Sequence, residues 1–218
     1  MNGTPVPVLD RLLSSCCKEA GLDGAGVSIV SSSGAHEPLY GSDHVAEAIE
    51  RLQVTLGEGP CIDASATGTP VLVADLTDPR DAVAGRWPVF RDEATLAGAR
   101  AIFAFPLRIG AISLGAVDLY RHTAGPLSRK ELGSAYSSME KVGLAVLETP
   151  DYYGDVDAPT TINMTVHQAA GMVMGQLDSS IDEAMVRLRA AAFAEGLSVN
   201  ELAVEVVDGR RRFLKETR

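Results

Sequence analysis

RAIFAFPLRIGAISLGAVDLY, residues 100–120, decides the architecture of the first part of this chain. It reads as two apolar strands joined near Arg108-Ile109-Gly110. The second strand alternates small and large residues, the pattern of a sheet packed against helices. Working outward, GVSIVSSSG (26–34) predicts a strand that ends in a turn, and TPVLVADL (69–76) predicts another. Helices are predicted over 6–20, 45–53, 86–99 and 128–148. In the first, Val8, Leu9, Leu12 and Leu13 share a face; in the third, Trp87, Phe90 and Leu96 point inward. The fourth opens with Ser128-x-x-Glu131, a pair that satisfies two orphan backbone donors at a helix start. A glycine-rich connection, Leu56-Gly-Glu-Gly-Pro-Cys61, lies between the second helix and the strand at 69–76. The order helix, strand, helix, strand, helix, strand hairpin, helix implies an α+β domain with an antiparallel-type sheet flanked by helices.

A polar linker rich in turn formers, DYYGDVDAP (151–159), precedes a segment of different character. From Ile162 onward, INMTVHQAAGMVMGQLDSSIDEAMVRLRAAAFAEGLSVNELAVEVVDGRRRF reads as three short amphipathic helices with almost no loop between them. Ser180 and Glu183 open the second; Ser198 and Glu201 open the third. A unit this small holds little room for a pocket and reads as a gripping surface. With Ile181, Ala184, Met185, Leu188 and Ala192 buried, Arg187 faces solvent and Arg189 lies near the edge of the buried stripe. Arg210, Arg211 and Arg212 extend the third helix past an interruption at Gly209. Gly171 in mid-helix costs about 1 kcal/mol against alanine, which implies close approach of another helix or of a ligand. The division expected is an N-terminal helix (1–20), the α+β domain (21–149), a linker (150–160) and the three-helix unit (161–218).

Composition narrows the function. Of the 218 residues, 46% are hydrophobic and 22% charged, ordinary values for a globular protein. No run of 18 apolar residues occurs, so no membrane association is expected. The N-terminus does not read as a signal peptide, which gives a cytoplasmic expectation. The net charge is −10, and nearly all of the excess acidity lies before residue 160. Arg210–Arg218 carries five basic residues and one acidic residue, so the local field there attracts phosphate; a basic helix end complementing the macrodipole is the competing reading. Three cysteines, Cys16, Cys17 and Cys61, form neither a disulfide framework nor a Cys-x-x-Cys pair, and the four histidines show no ligand spacing, so no metal is expected. Nucleophile elbow, Walker loop and dinucleotide fingerprint are all missing; no enzymatic activity is expected.

Two resemblances add to this. Gly57-Glu58-Gly59-Pro60-Cys61, Asp75, Trp87-Pro88, Arg100-Ala101, Phe105-Pro106-Leu107, Gly115 and Asp118-Leu119-Tyr120 give the first domain a likeness to GAF domains, more narrowly to those fused to ANTAR domains in actinobacterial regulators. The three-helix unit resembles an ANTAR domain through His167-Gln168-Ala169-Ala170-Gly171-Met172-Val173-Met174, Ala184, Leu188-Arg189, Ala192, Leu202-Ala203 and Val206-Val207. It departs from many members at Ala170, where they carry lysine. The GAF resemblance implies a sensor that binds a small-molecule effector, a chromophore or a haem; which of these is not readable. Candidate pocket residues are Cys61, Trp87, Phe90, Phe103 and Phe105, with Asp75, Arg100 and Asp118 as polar groups. Core packing competes as the reading of the aromatics, and a buried structural thiol competes with a reactive one at Cys61.

The ANTAR resemblance implies binding of tandem RNA hairpins in leader transcripts, which prevents transcription termination. Candidate contacts are Gln168, Gly171, Met172, Arg187, Arg189, Arg210, Arg211 and Arg212. Two hairpins imply a homodimer, with helix 128–148 and the N-terminal helix as its seam. Two alternatives stand beside this: a helix-turn-helix-like DNA binder, since Glu195-Gly-Leu-Ser198 fits its turn, and a thiol-dependent enzyme using Cys61.

Overall fold

The computed structural model describes residues 7–30, 36–81, 85–110, 112–147 and 161–214. The linker predicted over 151–159 lies outside the described residues. The chain divides into two compact units, Met1–Gly154 and Asp155–Arg218.

The first unit is built on a five-stranded antiparallel sheet of order β2-β1-β5-β4-β3. Its strands are β1 (Gly24–Val30), β2 (His36–Gly41), β3 (Val71–Val73), β4 (Ala101–Ile109) and β5 (Ile112–Arg121). The hairpin expected over 100–120 forms, with Phe103 opposite Leu119 and Ala104 opposite Asp118. β5 is the central strand and is buried from Leu114 to Tyr120, because helices cover both faces of the sheet. Helix α1 (Pro7–Ala20) and helix α5 (Arg129–Leu147) pack together on one face. Leu9, Leu13, Phe103, Phe105, Leu119 and Val142 form part of the core there. On the other face lie α2 (His44–Leu56), α3 (Pro60–Thr67) and α4 (Phe90–Ala97). Ile49, Val73, Trp87, Phe90, Ile102 and Tyr120 pack under α2 and α4.

Several local expectations are corrected. HEPLYG is a strand that the sequence pattern does not announce. It sits at the sheet edge, the place in a sheet where a proline such as Pro38 is tolerated. The strand expected over 69–76 is reduced to Val71–Val73, and the helix expected over 86–99 begins only at Phe90. Leu96 stands six residues beyond Phe90, about two-thirds of a turn away round the helix. Trp87 and Phe90 remain buried, but Leu96 is 80% exposed. Val8 is exposed on the solvent side of α1 while Leu9 and Leu13 are buried. Ser128 and Glu131 exchange both capping hydrogen bonds at the start of α5.

The second unit consists of α6 (Thr161–Leu177), α7 (Ile181–Ala194) and α8 (Val199–Val207). Val173, Ala184, Leu188, Ala192, Leu202 and Val206 lie in its core. Ser180 Oγ accepts from Glu183 N, and Ser198 with Glu201 completes a reciprocal capping box, so the caps read from sequence set both helix starts. Ile181, expected in the buried stripe, is exposed because it is the first residue after the cap. Arg210, Arg211 and Arg212 do not extend α8, which ends at Val207. Gly209 takes φ 73°, a left-handed turn that ends helical geometry.

Candidate functional site

The most unusual feature of the first unit is a polar cluster sealed between the sheet and helices α2 and α3. Asp43 caps α2, its Oδ1 accepting from Val45 N at 2.9 Å and Ala46 N at 3.0 Å. The cap fixes the helical phase, so Glu50 and Gln53, one turn apart, join Ala46 and Ile49 on the face turned to the sheet. β5 supplies Asp118, level with Gly26 of β1 and Ala104 of β4. The start of α3 supplies Cys61, and β1 supplies Ser28. Glu50 and Asp118 are only 1% and 2% exposed.

Gln53 organises the cluster. Its Nε2 donates to Asp118 Oδ2, and its Oε1 accepts from Cys61 N at 2.7 Å. One amide thereby ties α2, α3 and β5 together. Ser28 Oγ and Cys61 Sγ lie 2.6 Å apart. Two glycines make this possible. A Cβ on Gly26 would collide with the Glu50 carboxyl, and one on Gly59 with the Gln53 side chain. Gly59 also takes φ 139°, a conformation that L side chains rarely adopt.

The electrostatics are set by burial. No N–H among the described residues donates to either Glu50 carboxylate oxygen or to Asp118 Oδ1; the two carboxyls bond to each other, and the Ser28 hydroxyl to Glu50. Burial, then the neighbouring Asp118 charge, pushes the Glu50 carboxyl well above the ordinary range. Burial pushes Asp118 up to about 6, against the opposing bond from Gln53. Burial, reinforced by both carboxylates, pushes the Cys61 thiol far up. Cys61 is therefore a protonated, sealed thiol at neutral pH, and its place near a helix N-terminus does not make it reactive. Two acids side by side in a dry interior hold a proton or a cation; leaving both ionised and unpaired is costly.

The five pocket candidates do not come together. Trp87 and Phe90 meet edge to face at 6.1 Å beneath α4, and Trp87 Nε1 donates to Asp63 Oδ2 at 2.9 Å. Phe103 and Phe105 lie on the opposite face of the sheet, with α1 and α5, because successive strand residues alternate between faces. Cys61 packs with Ala64, Ala104 and Ala116. The aromatics are thus core residues of two layers. Of the three polar candidates, Asp118 belongs to the buried cluster, whereas Arg100 pairs with Asp75 at 2.8 Å near the surface. An open groove of about 800 Å³ runs past Leu76, Thr77, Pro88, Arg91 and Leu96 and includes none of the five. Cys16 and Cys17 are free and buried in the α1 packing.

Sequence reasoning missed Glu50, Gln53 and Ser28. A signal existed for two of them. Ala46, Ile49, Glu50 and Gln53 follow the i, i+3, i+4, i+7 spacing of a buried helical stripe, so an acid and an amide stood where apolar residues belong.

In the second unit, Gln168 and Arg187 are exposed, while Gly171, Met172 and Arg189 are half-buried. Desolvation lowers the Arg189 pKa. Arg210 pairs with Asp208 at 2.9 Å. Arg211 pairs with Glu195, and its guanidinium lies 6.0 Å from the Phe213 ring centre. Arg212 is exposed. Ala170 is fully buried, so the position that departs from many ANTAR members does not lie on the open face of α6. A Cβ at Gly171 would meet nothing within 4 Å, so no neighbouring helix requires that glycine.

Comparison with known proteins bears on the first unit. The chain is similar in structure to a domain of a protein named a putative two-component sensor histidine kinase from Sinorhizobium meliloti 1021. The two are 17% identical with a TM-score of 0.53, over 68% of this chain and 94% of that one. A GAF domain/HD domain protein from Geobacter sulfurreducens is 15% identical, with a TM-score of 0.51 over 72% and 100%. The GAF domain of a two-component sensor histidine kinase from Bacillus halodurans is 10% identical, with a TM-score of 0.50 over 70% and 99%. At such identities the likeness speaks for the fold. No curated protein matches the chain. The GAF domain family matches residues 4–146, well over half of the chain and ending before the C-terminal helices. The chain belongs to the GAF domain family.

Proposed function

We propose that this chain is a cytoplasmic signal-responsive regulator whose GAF domain senses an effector and whose C-terminal unit is an ANTAR domain. That unit binds tandem RNA hairpins in nascent transcripts and so prevents transcription termination. The observation that carries the reading is how the three-helix unit divides its residues. Positions that give it the ANTAR resemblance, among them Val173, Ala184, Leu188, Ala192, Leu202 and Val206, form a core of its own. Arg187, Arg189 and Arg212 are left exposed or half-buried at its surface, with Gln168 exposed on α6. Guanidinium groups on a rigid small scaffold suit phosphate contacts and stacking on unpaired loop bases. The protein acts as a homodimer through α1 and α5, where Val8, Tyr136 and Leu144 are exposed. Effector binding shifts the population between dimer arrangements. No described helix is long and apolar enough to cross a membrane. A thiol-dependent enzyme fits poorly, because Cys61 is sealed and protonated.

The test is binding of the full chain to a tandem-hairpin leader RNA and to duplex DNA of equal length across a salt series. RNA is expected to bind at least about tenfold tighter, and Arg189→Ala to weaken it by a further factor of about ten, the loss of one charge-assisted contact. Equal affinity for the DNA sinks the antitermination reading in favour of a DNA-binding regulator.

A further inference from the structure

We propose that Glu50, Cys61 and Asp118 form a buried binding site for a thiophilic divalent cation of the zinc class. One donor atom from each of the three lies within 4.8 Å of the others, close enough for a single ion to draw them together by side-chain rotation. The site is pre-arranged. Gln53 holds Asp118 by Oδ2, which leaves Oδ1 turned to the cluster, and the same amide anchors Cys61 through its backbone N–H. Orientation of a ligand by a second hydrogen-bonded group is how metal sites fix their donors. Independently, three carboxylate oxygens at the centre of the cluster, two on Glu50 and one on Asp118, are buried and accept from no N–H among the described residues, the two carboxyls facing each other instead. Buried acids in folded proteins are paired or bound to metal, and no cation among the described residues bonds these oxygens.

The donor set selects the ion. Magnesium and calcium take oxygen ligands and leave thiols aside, whereas zinc accepts thiolate and carboxylate together. Binding releases protons from the Cys61 thiol and the carboxyl pair, and the resulting anions face the ion. Three protein donors are one fewer than a closed structural zinc site holds. This site stands whether or not the C-terminal unit binds RNA.

The test uses the full chain, stripped with a chelator and titrated with Zn²⁺ against a chromophoric zinc chelator. One equivalent per chain is expected. Cys61→Ser and Asp118→Asn each weaken it about 10- to 100-fold, with circular dichroism confirming that each variant is folded. Co²⁺ provides a measurement that needs no Cys61 variant: in a Cys16→Ala, Cys17→Ala background it is expected to give a thiolate-to-cobalt charge-transfer band. No saturable Zn²⁺ binding, unchanged affinity in both folded variants, or no thiolate band in that background overturns the proposal.

Discussion

One sheet serves two different interiors. On the face covered by α1 and α5, Ala101, Phe103, Phe105, Leu107, Val117 and Leu119 meet helices that answer with Leu9, Leu13 and Val142. On the face covered by α2 and α3, the same two strands present Ala104, Ala116 and Asp118 to Glu50, Gln53 and Cys61. The first face contributes stability by removing apolar area from water, roughly 1.5–3 kcal/mol for each large side chain. The second keeps small residues and sealed polar groups where aliphatic side chains would be more stabilising. Sites that bind ligands are expected where folding stability is given up in this way. The contrast separates a half of the GAF domain built for apolar burial from a half built around sealed polar groups.

The contrast predicts an order of mutational cost. Phe103→Ala, in the middle of the apolar face, is expected to lose about 3–5 kcal/mol, read as a lower urea midpoint with an unchanged slope. Gly26→Ala strikes the polar face, since its methyl group meets the Glu50 carboxyl. The expected loss is smaller, about 1–3 kcal/mol, the usual cost of overpacking. Restoring space with Glu50→Ala in the same chain should recover part of it; a double-mutant cycle measures that coupling. A Gly26→Ala variant as stable as the parent would mean that Glu50 turns away from β1 freely and that the polar half is not pre-arranged.

Legibility in the sequence followed the distance over which each feature is encoded. The hairpin 100–120 and the caps at Ser128, Ser180 and Ser198 are local, and each formed where expected. β2 escaped notice because an edge strand has no need of a continuous apolar run, and His36, Glu37 and Pro38 hide it. Leu96 was misplaced because six residues of helix carry it about two-thirds of a turn from Phe90, so it cannot share the buried face. Grouping Trp87, Phe90, Phe103 and Phe105 in one pocket failed for a nonlocal reason, since the alternation of β4 decides which face each residue meets. The Glu50–Gln53–Cys61–Asp118 cluster is the extreme case. Gln53 and Asp118 stand 65 residues apart and meet only after the sheet forms and α2 is set on it. Spacing rules for metal ligands look for neighbours in the chain, so three donors from α2, α3 and β5 leave no such trace.

The smallest expected effect concerns Asp43, which sets the phase of α2 and hence the place of Glu50 and Gln53. Partial burial pushes its carboxyl up. Hydrogen bonds from Ala46 N, the Ser42 and Tyr120 hydroxyls and Val45 N outweigh that, and the net value lies below the ordinary range. A carboxyl whose folded value is depressed contributes stability that is present above the unfolded pKa of about 3.9 and lost as the pH falls through the folded one. The Asp43 contribution should therefore persist at pH 5 and fade below about pH 4. Its size is that of a helix cap, about 1 kcal/mol. Asp43→Asn keeps a capping oxygen but has no charge to lose, so its urea midpoint relative to the parent should improve as the pH drops from 5 to 3. A constant difference between parent and variant across that range would show that the charge at Asp43 adds nothing to the cap. The phase of α2 would then be held by its packing on the sheet alone.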